Sequence, residues 1–308
     1  MRKILLALLS LIVTCLIWIY FFVPDQIKIE ENILIRANKN TINRGLNDLA
    51  LWKKWWPEIG SQSLTYKKAV YHPQLPGLFV YPIDIKYHTT DIKTLLSIVE
   101  KSSDSVVITW RSSIISGYNP VSRLIRYWNL KRLSIEMKDI LYALQKFMNN
   151  PQNVYGIKIT NEKVKDTLLI NTQAVFDYSP TTDEIYKQID KLNKAAKDAG
   201  VSVTGYPMMN IAKKSDDKYL LRVALPVSKL LKERDGIVIK RMFPGNILVS
   251  NNIIGGEANV KNAFKQMMHY VQDYDKTMPA IPFESLITNR QLEKDSSKWV
   301  TRIYCPVI

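Results

Sequence analysis

Cysteine is almost absent: Cys15 and Cys305 are the only two in 308 residues. That count excludes a disulfide scaffold and a cysteine-rich zinc site. Histidine is nearly as scarce. His72, His88 and His269 stand far apart, in neither a metal-ligand spacing nor a triad arrangement. Glycine occupies only 11 positions, and none builds a phosphate loop. Gly255-Gly256 precedes a helical stretch but lacks the lysine of a Walker loop, and reads instead as a turn and helix cap. No G-x-S-x-G nucleophile elbow occurs. No cofactor and no metal is therefore expected. Acidic residues are the minority, 28 against 43 basic ones, for a formal charge of +15. Such an excess favours anionic surfaces. The basic residues are scattered singly, with no run or nucleic-acid motif, so no nucleic-acid partner is expected; a basic surface near an anionic membrane fits better. What is present, 46% hydrophobic and 23% charged residues, is ordinary globular composition, and the length suggests two domains.

The N-terminus carries the clearest local signal. Arg2 and Lys3 precede an uncharged apolar stretch from Ile4 to Val23, long enough to cross a hydrocarbon core as a helix. Trp18, Tyr20, Phe21 and Phe22 gather at its far end, where an interfacial aromatic belt belongs. A cleaved and exported form is the alternative, but Phe21-Phe22-Val23-Pro24 offers no small residues for cleavage. Residues 1–25 are thus expected to be a single-pass anchor. Its basic end would lie inside, with the following domains on the extracytoplasmic side.

Residues 26–150 form the first expected domain. Residues 27–35 partly alternate and predict a strand. Asn40 or Thr41 is expected to cap a short helix through Leu51, ended by Trp52, Trp55, Trp56 and Pro57. Strand candidates follow at 64–71, 78–88, 92–100 and 104–113. Asn119-Pro120 then starts a helix running to about Met148, with Leu133, Met137, Ile140, Leu141, Leu144, Phe147 and Met148 at three- and four-residue steps. The opening strand, the stretch Asn47-Asp48-Leu49-Ala50-Leu51-Trp52-Lys53-Lys54-Trp55-Trp56-Pro57 and the end 105–149 resemble the START-like superfamily, also called SRPBCC or polyketide-cyclase-like. The resemblance implies a helix-grip fold: a curved antiparallel sheet around a long helix, often enclosing a hydrophobic cavity. The tryptophans suit core packing or ligand contact.

After a connection at 151–166, residues 167–308 contain an internal repeat. Tyr219-Leu220-Leu221-Arg222-Val223-Ala224-Leu225-Pro226-Val227 aligns with Trp299-Val300-Thr301-Arg302-Ile303-Tyr304-Cys305-Pro306-Val307, and 206–211 aligns with 281–286. Each pair follows an amphipathic helix, 182–199 or 258–274, and a strand, 167–178 or 245–252. Two β-α-β-β units, 167–227 and 237–308, are expected to bury a shared face and form a groove along their common axis. The fold class is α+β. This double unit resembles the GyrI-like (SHS2-type) effector-binding domain found attached to AraC- and MerR-type regulators. The residues carrying the likeness are Arg302-Ile303-Tyr304-Cys305-Pro306-Val307, Pro282-Phe283-Glu284 and Pro180-Thr181-Thr182-Asp183-Glu184-Ile185. Arg302 departs from the acidic residue frequent there, and no DNA-binding module accompanies the domain.

That resemblance implies that Glu284 is the key polar residue of a small-molecule pocket. Its repeat partner is Met209, so the fold itself does not demand an acid there. A carboxylate among aromatics suits a hydrophobic, even cationic, ligand. Tyr304 is expected to frame it, with Phe176, Tyr178 and Tyr206 as further ligand-binding candidates. Glu284 exposed at an edge, or paired with Arg302 or Arg290, is the alternative. The expected activity is binding at the membrane. A hydrolase with Glu284 as base and Tyr304 as polariser is the competing expectation.

Overall fold

The computed structural model describes residues 2–58, 63–88, 90–164, 168–214, 217–232, 236–242 and 244–308. The chain divides into two compact units, Met1–Val154 and Tyr155–Ile308. The boundary expected at 166–167 lies outside the described residues. The architecture is mixed α+β, with antiparallel sheets and seven α-helices among the described residues.

The first unit opens with helix α1, Arg2–Phe22, then strand β1, Gln26–Ile35. Helices α2, Lys39–Asn47, and α3, Leu49–Trp55, precede strands β2, Leu64–Tyr66; β3, Ala69–Pro73; β4, Val80–Tyr87; β5, Thr90–Ser102; and β6, Ser105–Ile115. Helix α4, Pro120–Met148, and the short α5, Pro151–Tyr155, close it. The sheet order is β1-β6-β5-β4-β3-β2, and α4 packs on β1. Asn119 caps α4 by accepting from the Val121 and Ser122 amides, with Pro120 preset for the first turn. The single helix expected after β1 is two. Asp48 has extended backbone, and its carboxylate accepts from Ala50 N at 2.9 Å, so it stops α2 and caps α3. The run expected as one strand at 64–71 is a hairpin turning at Lys67, whose φ is 51°.

Trp52 and Trp55 do not end the helical stretch; they are α3's buried face. With Trp56 they stand 5.0–5.9 Å apart, centroid to centroid. Tyr71 of β3 lies 5.1 Å from Trp56, and Trp110 of β6 lies 6.0 Å from Tyr71. All five are buried. For the tryptophans of this ring ladder the structure shows core packing between α3 and the sheet. Three of the four indole N–H groups are satisfied: Trp52 donates to Leu46 O at 2.7 Å, Trp56 to Thr65 O at 2.6 Å and Trp110 to Thr94 Oγ1 at 2.8 Å. Trp55 Nε1 is buried without a partner. Phenylalanine at position 55 removes that orphaned donor along with some ring area. Its expected cost in a denaturant titration is therefore within about 1 kcal/mol, well below that of a tryptophan whose hydrogen bond is lost.

The second unit contains strands β7, Ile159–Lys163, and β8, Leu168–Phe176, then helix α6, Thr182–Asp198. Strands β9, Met208–Lys213; β10, Tyr219–Val227; β11, Val238–Arg241; β12, Asn246–Ser250; and β13, Ile253–Ile254 follow. Helix α7, Glu257–Asp273, and strands β14, Phe283–Leu286, and β15, Val300–Val307, complete it. The sheet order is β11-β8-β10-β9-β14-β15-β12-β7, with β13 beside β15. Its two halves mirror one another: β8-α6-β9-β10 and β12-α7-β14-β15 meet at the central pair β9 and β14. The segment expected to be connection thus supplies α5 and β7. Strands β7 and β11 precede the first strand of each repeat at the same spacing, and each pairs with the other repeat's first strand. Lys163 faces Asn246, and Arg241 faces Leu168. Thr181 and Glu184 form a reciprocal capping box at α6, which turns Ile185, Ile189 and Leu192 onto Leu221, Val223 and Leu225 of β10 in one buried core.

Candidate functional site

Strand alternation decides which side chains face the helices. On β9 these are Met209, Ile211 and Lys213; on β10, Tyr219, Leu221 and Val223; on β14, Glu284 and Leu286. The register puts Glu284 directly opposite Met209 across the central seam, with Ile303 on its other side. Over this seam, near the first turns of α6 and along α7, lies a groove of about 460 Å³. Met209, Ile211, Val260, Phe264, Tyr219 and Trp299 supply its apolar and aromatic walls, and Glu284 and Arg290 its buried charges. Lys213, Lys261 and Lys265 line it as well. Lys213 pairs with Asp217 at 2.6 Å and Lys261 with Glu257 at 2.6 Å.

The Glu284 side chain is 21% exposed and that of Arg290 9%, with Oε2 and Nη2 3.7 Å apart. Burial pushes the Glu284 carboxyl above the ordinary carboxylate range; the Arg290 guanidinium beside it pulls in the opposite direction and only partly offsets the burial. Arg290 is held from several sides. Its Nη2 donates to Thr301 Oγ1 at 2.8 Å, its guanidinium stacks over the Trp299 ring at 4.8 Å, and its backbone N–H donates to the Tyr186 hydroxyl at 2.7 Å. Its Nε has no partner in the described structure. The site therefore combines apolar and aromatic walls, lysines that line it as well, a carboxylate that ionises reluctantly and a fixed cation with one unused donor.

Of the five residues singled out from the sequence, Glu284 lines this groove and the other four do not. Tyr304 is on the neighbouring strand but one residue out of phase. It faces Phe283 in register, and the two rings stack on the opposite face of the sheet, 5.1 Å apart with planes 4° from parallel. Phe176 faces Tyr219 across β8 and β10 and packs against the hydrophobic core. The Tyr178 hydroxyl donates to Glu184 at 2.6 Å at the start of α6. Tyr206 is exposed before β9. Of the two arginines weighed as partners for Glu284, Arg290 is the one beside it. Arg302 alternates to the other side and donates from Nε to Asn252 Oδ1 at 2.7 Å. Trp299, Tyr219 and Phe264 were not singled out, and Arg290 was weighed only as a partner for Glu284. Strand parity counted from Glu284 identifies Tyr219. Arg290 sits in a loop, where sequence pattern assigns no direction.

Among the described residues, no cluster of three or more histidine, cysteine or acidic groups is placed to hold a metal ion. No family model matches the chain, and no curated protein matches it in sequence. Similar solved structures include the EcmrR C-terminal domain, 18% identical, with a TM-score of 0.42, covering 49% of this chain and 98% of that one. Another is SAV2435 bound to tetraphenylphosphonium, 13% identical, with a TM-score of 0.31, covering 49% of this chain and 94% of that one. A third is a START superfamily protein from Mycobacterium smegmatis, 15% identical, with a TM-score of 0.26, covering 38% of this chain and 98% of that one.

Proposed function

We propose that this chain is a membrane-anchored binding protein. It holds a small hydrophobic molecule in the groove of its second unit, with Glu284 meeting a hydrogen-bond donor or positive charge on the ligand. The observation that carries this reading is a largely buried carboxylate in a groove of about 460 Å³ with apolar and aromatic walls and a charged rim, a size suited to a drug-sized ligand. Burial of Glu284 opposes its ionisation, and the equivalent position in the first repeat is occupied by Met209; a ligand that satisfies the carboxylate supplies what the fold lacks. Because Arg290 already draws on that charge, the slot suits a neutral donor as well as a cation. Tyr304, the phenol weighed for the hydrolytic alternative, lies on the other face of the sheet from Glu284. Within helix α1 the 19 residues Ile4–Phe22 are uncharged and, Ser10 and Thr14 apart, apolar, and none of them is buried, which supports an anchor. Arg2 and Lys3 before it favour an orientation with the two units outside the cytoplasm.

Thermal unfolding of wild type and Glu284→Gln against tetraphenylphosphonium, a neutral apolar amide and a lipophilic anion tests the reading. A ligand at about one hundred times its Kd adds roughly 2.7 kcal/mol, enough to move a transition by several degrees. The phosphonium or the amide is expected to stabilise wild type, and the shift is expected to shrink in the Gln variant. No shift from any of the three, or identical shifts in both proteins, overturns it.

A further inference from the structure

Helix α4 has two apolar faces. One, with Leu130, Leu133, Met137 and Ile140, is buried against the sheet. The other belongs by position to solvent, yet it carries Val121, Ile125, Trp128 and Ile135, all more than half exposed. Their spacing of four, three and seven residues makes one stripe along the helix. Tyr118, just before the helix, is 95% exposed and continues the stripe. From Tyr118 to Ile135 the sequence holds four basic residues, Arg123, Arg126, Lys131 and Arg132, and no acidic one.

The start of α4 is fastened to the end of α1. Arg123 is buried; its Nε donates to Val23 O at 2.9 Å, its Nη1 pairs with Asp25 at 2.8 Å, and its guanidinium lies 5.0 Å over the Tyr20 ring. The Tyr20 hydroxyl donates to the Tyr118 carbonyl, and Ser116 N donates to Asp25 O at 2.8 Å. No slack chain separates the apolar helix from the exposed stripe.

We infer that the outward face of α4 beside α1, formed by Tyr118, Val121, Ile125 and Trp128, lies in the headgroup region of an anionic bilayer. This rests on the reading of α1 as a membrane anchor. Three observations select lipid as the occupant. The stripe is continuous with the apolar helix. It ends in tyrosine and tryptophan, whose rings favour the interface between hydrocarbon and water. The helix that carries it exposes Arg126, Lys131 and Arg132 and has no acid between Tyr118 and Ile135, complementary to acidic headgroups. A two-fold pairing of this face with a second copy would instead bring the exposed Arg126, Lys131 and Arg132 of both copies together, with Asp25 as the acid at the α1 end. The first unit is then held flat on the membrane at two places, the anchor and the helix.

The test uses the full chain in vesicles of phosphatidylcholine and phosphatidylglycerol in equal parts. Three versions each carry an environment-sensitive dye: one on native Cys15, and two in a Cys15→Ser background bearing Ile125→Cys or Ser103→Cys. Cys305 is buried, and Ser103 is an exposed control at the other end of β6 from Ile115. Nitroxide-bearing lipids are the quenchers. Quenching at Cys15 reports the anchor; its absence sinks the anchor reading. Given quenching at Cys15, the expected result is quenching at position 125 several-fold stronger than at 103, and weaker in phosphatidylcholine alone. Equal quenching at 125 and 103 overturns the inference while leaving the anchor intact. So does self-quenching between copies at 125 without lipid quenching, which assigns the stripe to a dimer.

Discussion

Methionine in place of Arg290 is expected to destabilise the second unit by about 2 kcal/mol near neutral pH, and by clearly less in acid. The figure lies between the cost of breaking a fully buried pair and that of an exposed one, because Glu284 keeps partial access to solvent through the groove. The pH dependence follows from Glu284. Its carboxyl is already raised by burial and restrained by Arg290; without the guanidinium it rises further. An acid whose folded pKa lies above its unfolded value binds its proton more tightly when folded. The stability it supports is therefore complete below the unfolded pKa, about 4.3, and is lost as pH rises through the folded value. The Arg290→Met deficit should accordingly open as pH rises and narrow as it falls. A residue should persist in acid from the lost Thr301 bond and Trp299 stacking. Adding Glu284→Gln to Arg290→Met should recover most of the neutral-pH loss. Thermal unfolding of the four proteins across pH reads all of this. An equal loss at every pH, with no recovery in the double variant, would assign the arginine's contribution to packing alone.

Alanine at Trp52 is expected to cost the first unit about 4 kcal/mol. Trp52 is fully buried, touches the rings of Trp55 and Trp56, and satisfies the Leu46 carbonyl across the break between α2 and α3. Removing it leaves a ring-sized void and an unpartnered carbonyl together. The void would be walled by indoles and should stay dry, so added indole is expected to restore part of the loss. Hydrogen exchange separates the units: amides of β3–β6 should lose protection while those of β8–β10 do not. A loss near 1 kcal/mol, or one spread evenly over both units, would show that the ladder is not the core of the first unit.

The repeat was legible because strands print their period directly. Arg222 and Arg302, Pro226 and Pro306, and Val227 and Val307 stand in matching strands, and the alignment that pairs Met209 with Glu284 is the pair that meets across β9 and β14. The long strands and helices were legible for the same reason, since their apolar positions repeat every two or every three to four residues. The Tyr304 expectation failed on parity. Being on the adjacent strand gives proximity, but only register decides the face, and here it gives Ile303 to Glu284. The break at Asp48 was hidden because a capping aspartate inside a helical run looks like a surface residue until its backbone turns extended. Strand β7, Ile159-Thr160-Asn161-Glu162-Lys163, has mostly polar, exposed side chains. Nothing local distinguishes it from a linker, because the feature that makes it a strand is a partner some ninety positions away in the chain.

That exchange of outer strands makes the second unit a reciprocal clasp. Each half contributes the selvedge of its neighbour, so a chain severed between Val227 and Val238 would yield two fragments that each lack an edge and each carry the one the other needs. Their reunion is a strand exchange of the kind seen between subunits, kept intramolecular here by the loop that joins them, which supplies a high effective concentration. The groove straddles the seam between the same two halves, with Met209 and Tyr219 from one and Glu284 and Phe264 from the other. A molecule bound there would touch both halves at once, and its binding free energy would add to that of the clasp.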